Sequence, residues 1–297
     1  MAQGPIIFNR ELLRVRRARA EALGPATFLL ERVATDLAER LSTVLRTFAL
    51  AADLGTPGDA VRRALPNVAT IIAMDTRFAA AGGDGALRVV GDLEALPFGD
   101  GTLDLAVSGL ALQFVNDLPG ALAQIRRALK PDGLFLAALV GGASLAELRD
   151  AFAAAETEVE GGVSPRVAPF VDVRDLGALL QRAGFALPVT DVDRIVVRYR
   201  SPLDLMYDLR RMGATNVLIE RRRAPLKRAT LRRMMEIYDA RYADADGRVR
   251  ATFEIVWLSG WAPHESQQKP LAPGSARTRL ADALRTQEIS AGEKSGR

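Results

Sequence analysis

Four short apolar runs in the first half of the chain are set beside acidic or glycine-rich segments. The run over 44–52 leads into Asp53, a second run ends at Asp75, and a third leads to Asp92. A fourth run, 103–108, follows a glycine-containing turn. Apolar runs of this length are typical of buried parallel strands, and an open parallel sheet binds its ligand at the carboxyl ends of its strands. The series therefore predicts a doubly wound, mostly parallel α/β sheet with a ligand site at that edge.

The remaining elements follow from the periodicity of the apolar residues. With 297 residues the chain is long enough for one large α/β domain with insertions. We predict N-terminal helices over 1–45 and a domain with a seven-stranded sheet over 46–275. A helical insertion is expected at about 201–246, before the last strand, and 276–297 should form a polar tail.

Two local patterns predict where elements begin. Ser144 is followed three residues later by Glu147, which is the pattern of a capping box and predicts a helix that begins at Ser144. The segment 130–133 contains proline and glycine, and it predicts a turn between a helix over 118–129 and a strand over 134–140.

Composition excludes several kinds of chemistry. The chain has no cysteine, which excludes disulfides, thiolate nucleophiles and cysteine-ligated zinc. His264 is the single histidine, so an iron centre of two histidines and one carboxylate is impossible within one chain, and we expect no metal.

The net charge of +4 comes from arginines concentrated in 14–19 and 210–228. They indicate solvated helix faces or an acidic partner surface. Because no RNA-recognition motif accompanies them, no nucleic-acid partner is expected.

The sequence contains no apolar run near the roughly 20 residues that a transmembrane helix needs. The N-terminus also lacks the long apolar core of a secretory signal. We therefore expect no transmembrane segment and, for a bacterial protein, a cytoplasmic location.

The segment after the first strand has the composition of a nucleotide-binding loop, with two departures. Gly55 and Gly58 are small enough to let backbone amides at a helix start approach a ligand closely. In the G-x-G-x-G spacing, Pro57 and Asp59 stand at the second and third glycine positions. Proline removes an N–H donor, and a carboxylate at the helix start would repel a pyrophosphate. These departures argue against NAD or FAD and favour S-adenosylmethionine, which carries no phosphate.

The acidic strand ends suit the polar parts of S-adenosylmethionine. Asp75 could accept hydrogen bonds from both ribose hydroxyls, and Asp92 with Leu93 could hold the adenine. Each of these aspartates could instead be a solvated residue at a strand end or a turn. With the loop glycines and a serine at the end of the fourth run, the predicted cofactor-binding residues are Asp53, Gly55, Gly58, Asp75, Asp92, Leu93 and Ser108.

Two segments further along resemble class I S-adenosylmethionine-dependent methyltransferases. The sequences E-A-L-P-F at 94–98 and D-L-A-V-S at 104–108 are similar to the L-P-F and F-D-x-V-x-S motifs of that class. The segment 125–133 resembles its R-x-L-K-P-G-G turn, with Asp132 in place of the first glycine. Aspartate tolerates turn conformations, so this departure is harmless. The resemblance implies a Rossmann-like class I methyltransferase fold.

Longer blocks narrow the resemblance to one family. The segments 112–119, 208–216 and 260–267 resemble the complex I assembly factor 5 family, and the similarity extends over roughly 6–275. The resemblance implies a role in maturation of respiratory complex I, with a complex I subunit as the protein substrate and the membrane nearby. The mitochondrial member of the family is associated with hydroxylating an arginine of an Fe–S subunit rather than methylating it. A eukaryotic chain of this family would lie in the mitochondrial matrix.

Several activities stay open from the sequence. The first is S-adenosylmethionine-dependent methyl transfer to a protein; arginine hydroxylation by the same fold and a non-catalytic assembly chaperone are the alternatives. A free-standing enzyme similar to the malonyl-carrier methyltransferases of biotin synthesis is disfavoured by the C-terminal blocks.

We also expect 208–216 and 261–267 to form one substrate-facing surface. The candidate catalytic residues, chosen by location, are Gln113, Asp208, His264 and Glu265, with Asp117 as a further acidic candidate.

Overall fold

A seven-stranded sheet organises most of the chain. The computed structural model describes residues 5–65, 67–77, 85–268, 275 and 278–287. The strands, in chain order, are β1 (Phe48–Leu54), β2 (Val68–Asp75), β3 (Leu87–Val90), β4 (Leu103–Gly109), β5 (Leu129–Val140), β6 (Ala186–Tyr199) and β7 (Val249–Trp261). Their order in the sheet is β3-β2-β1-β4-β5-β7-β6, and β7 alone runs antiparallel to its neighbours. The predicted mostly parallel α/β fold is confirmed.

Helices cover both faces of this sheet. They are α1 (Arg10–Ala22), α2 (Phe28–Ser42), α3 (Ala60–Ala64), α4 (Leu118–Ala128), α5 (Ala146–Glu160), α6 (Val173–Arg182), α7 (Pro202–Arg211) and α8 (Arg228–Tyr242). Strand β4 shows how the faces are divided, because successive side chains of a strand point to opposite sides. Ala106 packs in the apolar cluster that holds α4 and α6, whereas Leu105 and Val107 pack in the cluster of α2 and α3. Both faces are therefore buried, which explains the continuous apolar runs in the sequence.

The predicted helical insertion is present as α7 and α8, which lie between β6 and β7 in the chain. These helices pack with α5 and β7 around the buried side chains of Met234, Tyr238 and Phe253. The hydroxyl of Tyr238 donates a hydrogen bond to the backbone oxygen of Arg250 at 2.8 Å, which attaches α8 to β7. Among the described residues, no helix is long and apolar enough to cross a membrane.

The chain divides into two units, Met1–Pro263 and His264–Arg297. The described part of the second unit contains one short helix, α9 (Leu280–Leu284). Most of the predicted polar tail over 276–297 lies outside the described residues. The predicted domain boundaries stay a prediction.

Two local predictions are wrong, and for the first of them the reason is that tertiary contacts override a local signal. Helix α5 begins at Ala146, because the Ser144 hydroxyl exchanges hydrogen bonds with the backbone of Glu254 and does not cap the helix. The Glu147 carboxylate accepts hydrogen bonds from Thr252. The predicted turn over 130–133 is an irregularity within β5, and Asp132 there adopts the left-handed conformation, with φ of 63°.

Candidate cofactor site and adjoining cavity

Three of the predicted cofactor-binding residues line one small cavity at the carboxyl edge of the sheet. Gly55 follows β1, Asp75 ends β2, and Leu93 lies just after β3. Met74 and Val115 complete an apolar wall beside Leu93. The Asp75 carboxylate accepts a hydrogen bond from the Thr76 hydroxyl at 3.2 Å and forms no ion pair with the described residues. Its remaining lone pairs are available for a diol, and the apolar wall suits a flat ring.

The loop after β1 owes its shape to two glycines with left-handed backbone angles. Gly55 has φ of +72° and Gly58 has φ of +73°. A Cβ atom at Gly55 would lie 3.2 Å from Cδ1 of Leu93, so a side chain there would press into the small cavity. Gly58 and Pro57 line a second, larger cavity instead. The exposed carboxylate of Asp59 pairs with Arg63 at 3.2 Å and does not cap α3.

The two departures from the glycine pattern lead to a testable expectation about affinity. Replacing Pro57 and Asp59 together with glycine restores one backbone N–H donor and removes one carboxylate from the loop. Recovering about 1 kcal/mol per hydrogen bond corresponds to roughly fivefold tighter binding of S-adenosylmethionine, measured by titration calorimetry. An unchanged or weaker affinity would show that the natural loop is already fitted to its ligand.

Asp53 lies beneath the loop in a buried ion pair and lines neither cavity. Its Oδ2 atom lies 2.6 Å from Nη1 of Arg62 on α3, and both side chains are shielded from solvent. Its Oδ1 atom has no hydrogen-bond partner among the described residues. Burial raises the pKa of Asp53 to about 6, although the neighbouring Arg62 acts in the opposite direction. The pair therefore fixes α3 and the loop against β1 from below.

Ser108 and Asp92 also stand away from both cavities. The Ser108 hydroxyl is buried and donates to the backbone oxygen of Leu54 at 2.8 Å, which ties β4 to β1. The Asp92 carboxylate accepts a hydrogen bond from the Glu94 amide at 2.8 Å and pairs with Nη1 of Arg10 at 2.5 Å. Direct cofactor contacts of these two residues stay a prediction.

Helix α1 lies across the carboxyl edge of the sheet and narrows the small cavity. Its residues Arg10, Arg14 and Arg17 line that cavity at i, i+4 and i+7 spacing, which places them on one helical face. The Arg17 guanidinium donates to the backbone oxygen of Gly55 at 3.3 Å, and burial lowers its pKa. The free space left is about 20 Å³, so a nucleotide can enter only if these side chains move. The 10, 14, 17 spacing indicates one arginine-lined face on α1, but it does not show where in the fold that face docks.

A second cavity of about 750 Å³ adjoins the first, and Arg17, Asp75 and Phe114 line both. Gln113 lines this larger cavity and is 8% exposed. Its Nε2 atom donates to the backbone oxygen of Leu110 at 2.8 Å. Its Oε1 atom is buried and has no hydrogen-bond partner among the described residues. A buried orphan acceptor on a cavity wall is suited to receive an N–H or O–H group of a ligand.

The other candidate catalytic residues line neither cavity. Asp208 lies 3.6 Å from Arg211 on the same helix, and Asp117 caps α4 by accepting from the Gly120 amide at 2.9 Å. His264 and Glu265 are exposed in the second unit, where Nδ1 of His264 lies 2.7 Å from the Ser266 hydroxyl. The predicted surface formed by 208–216 and 261–267 stays a prediction. Within the described residues, no group of three acidic, histidine or cysteine side chains could hold a metal ion.

Known proteins similar to this chain agree with the methyltransferase class that the sheet order and the cavity at its carboxyl edge indicate. A family model described as "Methyltransferase domain" matches residues 52–137. A putative methyltransferase from Bacillus halodurans superposes with a TM-score of 0.52 at 17% identity, covering 77% of this chain and 99% of that one. The chain is thus a protein of the class I methyltransferase fold.

Full-length relatives identify the family. The zebrafish (Danio rerio) protein named "Arginine-hydroxylase NDUFAF5, mitochondrial" is 39% identical over 290 residues, which cover 94% of this chain and 90% of the relative. Its human counterpart is 42% identical over 284 residues, covering 91% and 81%. The chain belongs to the NDUFAF5 family, as its sequence blocks predicted. A malonyl-[acyl-carrier protein] O-methyltransferase from Laribacter hongkongensis is 40% identical over 186 residues, covering 63% of this chain and 60% of that protein.

Proposed function

We propose that this chain binds S-adenosylmethionine at the carboxyl edge of the sheet and modifies an arginine side chain of a protein partner. Asp75 would accept the ribose hydroxyls, and Leu93 with Met74 would enclose the adenine. Gly55 has a positive φ and no side chain, so the protein backbone of this loop could approach the ligand closely. When bound, S-adenosylmethionine supplies an electrophilic methyl group on a positively charged sulfur. The proposal accords with the methyltransferase fold and with the similarity to proteins named arginine-hydroxylases.

The observation that carries the substrate proposal is the unpartnered Oε1 atom of Gln113. A guanidinium group has only N–H donors, so it would satisfy this buried acceptor on entering the cavity. Gln113 and Asp75 line the same cavity, so the substrate and cofactor groups would lie in adjoining space. Holding the two reactants in the right orientation is the main contribution of a protein to such a reaction.

Two chemical outcomes remain distinct under this proposal. Hydroxylation agrees with the name of these relatives, but the oxygen atom it inserts would have to come from an oxygen-donating oxidant, which S-adenosylmethionine is not. Methyl transfer agrees with the fold and needs only S-adenosylmethionine. We propose a subunit of respiratory complex I as the partner, which would bring the protein to the membrane surface without a spanning segment. The site of action would be the cytoplasm of a bacterium or the mitochondrial matrix of a eukaryote.

Mass spectrometry of complex I subunits from a strain that lacks this protein tests the proposal directly. Hydroxylation predicts that an arginine-containing peptide loses about 16 mass units relative to the parent strain, and methyl transfer predicts a loss of about 14. Reintroducing the gene should restore the modification. If complex I assembly fails without the protein while no arginine peptide changes mass, the chain acts as an assembly chaperone and the enzymatic proposal is wrong.

Replacing Gln113 with leucine should reduce the modification of the partner by about ten- to a hundred-fold. Leucine is similar in size to glutamine but has no hydrogen-bond acceptor. The loss of a hydrogen bond to a charged group costs about 1.5–3 kcal/mol. The affinity for S-adenosylmethionine should stay unchanged, as measured by calorimetry. The matched control is Gln181→Leu, because Gln181 is exposed on α6 and lines neither cavity. Equal modification by both variants would remove Gln113 from the site.

A further inference from the structure

The larger cavity has an apolar interior of the kind that encloses hydrocarbon. Its volume of about 750 Å³ lies within the range of small-molecule sites. The buried side chains of Leu29, Leu148, Phe152, Leu209 and Phe253 line it, and they come from α2, α5, α7 and β7. Four separate elements therefore contribute to one apolar chamber. Burial of a ligand's hydrocarbon there would be favourable by the usual hydrophobic effect.

The polar side chains around this chamber are predominantly cationic. Eight arginines line it, against two acidic residues, Glu21 and Asp75. Four of the arginines are paired with carboxylates: Arg77 with Glu21, Arg166 with Glu156, Arg211 with Asp208, and Arg222 with Glu160. The remaining four leave a local excess of positive charge beside an apolar interior, where screening by water is weaker.

Arg16 and Arg221 are two of these remaining four arginines. Both are half-buried, and neither forms an ion pair with a carboxylate of the described residues. The Arg221 guanidinium donates to the backbone oxygen of Leu218 at 2.9 Å, which fixes its position. Desolvation and the charge of Arg221 both lower the pKa of Arg16. Both residues line the same cavity, and an anion bound there would offset their like charges.

We propose that this cavity binds an amphipathic anion, with its negatively charged head at Arg16 and Arg221 and its hydrocarbon body in the apolar chamber. The chemistry of the head is a carboxylate or a phosphate, since both accept hydrogen bonds from guanidinium groups. The proposed head-group site consists of Arg16 and Arg221 and does not include Gln113. The inference goes beyond the proposed modification activity and does not depend on it.

Binding of simple amphiphiles to the full chain tests the charge requirement. Decanoate and decyl phosphate should each bind at least tenfold more tightly than decanol or decyltrimethylammonium, measured by calorimetry below the concentration at which they form micelles. The tighter of the two anions identifies the head group. Shortening the carboxylate from decanoate to octanoate should weaken binding about fourfold for each methylene removed. Equal binding of the cationic and anionic probes would overturn the proposal.

Charge-removing variants locate the head group. Arg16→Gln and Arg221→Gln should each weaken decanoate binding about tenfold, while decanol binding should not change. The matched control is Arg19→Gln, because Arg19 is exposed on the same helix as Arg16 and does not line the cavity. Thermal melting of all three variants checks that folding is intact. If the control loses as much affinity as the other two, the attraction is a general effect of net charge and the proposed subsite is wrong. Binding of an acidic peptide without binding of decanoate would also overturn it.

Discussion

Replacing Arg62 with methionine is expected to lower the free energy of unfolding by about 3–5 kcal/mol at neutral pH. The variant keeps most of the side-chain volume but leaves the carboxylate of Asp53 buried without its counter-charge. Removing one partner of a buried ion pair costs more than the pair itself contributes, because the remaining charge is desolvated and uncompensated. Urea denaturation followed by circular dichroism measures the loss.

The neighbouring residue provides the control for this prediction. Arg63→Met removes an exposed partner of Asp59, and such i, i+4 pairs contribute only about 0.3–0.5 kcal/mol. The double variant Asp53→Asn, Arg62→Met should recover part of the stability lost in the single variant, because no buried charge remains. If Arg62→Met and Arg63→Met destabilise equally, the buried pair does not hold the loop.

The same variant should show a defined dependence on pH. Burial raises the pKa of Asp53 from 3.8 to about 6, so the folded protein holds its proton more tightly than the unfolded chain does. The contribution of this group to stability is therefore greatest at low pH and falls as the pH rises between these two values. Without Arg62 the pKa rises further, and Asp53 is neutral at about pH 5. The deficit of Arg62→Met should then be smaller at about pH 5 than at about pH 8.

Replacing Asp75 with alanine is expected to weaken the binding of S-adenosylmethionine about ten- to a hundred-fold. Loss of one charged hydrogen-bond partner costs about 1.5–3 kcal/mol, and Asp75 is the carboxylate that lines both cavities. Titration calorimetry measures the change, and the melting temperature without ligand should stay close to that of the parent. Asp100→Ala is the control, since the Asp100 carboxylate is exposed and pairs with Arg127 at 2.9 Å.

Asp92→Ala separates the two explanations of the acidic strand ends. If Asp92 holds the adenine, this variant should lose affinity to a similar extent as Asp75→Ala. If Asp92 serves only to anchor Arg10, the loss should be small and the stability should fall instead. An absence of measurable binding in the parent protein, unchanged by Asp75→Ala, would contradict the proposed cofactor.

The sheet could be predicted from the sequence because burial on both faces leaves a strong signal. Parallel strands covered on each side read as continuous apolar runs, and β4 is buried at nearly every position. The edge strand β6 alternates between half-buried and exposed residues over most of its length, which is a weaker signal in the sequence. The start of α5 could not be predicted, because Ser144 and Glu147 bond to β7 more than a hundred residues away in the chain. No local pattern contains that information.

The residues of the candidate site at the ends of adjacent strands could be predicted from the sequence. The contributions of the helices that pack over the site could not. Asp75 and Leu93 line one cavity because Asp75 ends β2 and Leu93 follows the adjacent parallel strand β3. Asp53 lies near the carboxyl end of β1, but its partner Arg62 comes from α3, and a buried pair of this kind has no signature in the sequence spacing. The role of α1 as a cover depended on where the helix docks, which the amphipathic pattern alone does not determine.

The position of β7 has a consequence for how the protein is made. Among the residues that the structure describes, β7 is the last strand to leave the ribosome, yet it pairs with β5 on one side and with β6 on the other. Until Trp261 has been synthesised, β6 has no neighbour and β5 presents an open edge. At about 5–20 residues per second, the interval from Tyr199 to Trp261 lasts about 3–12 s. Slow codons between these residues would prolong the exposure of two unpaired strand edges, so this stretch of the message is where translation speed bears most on aggregation.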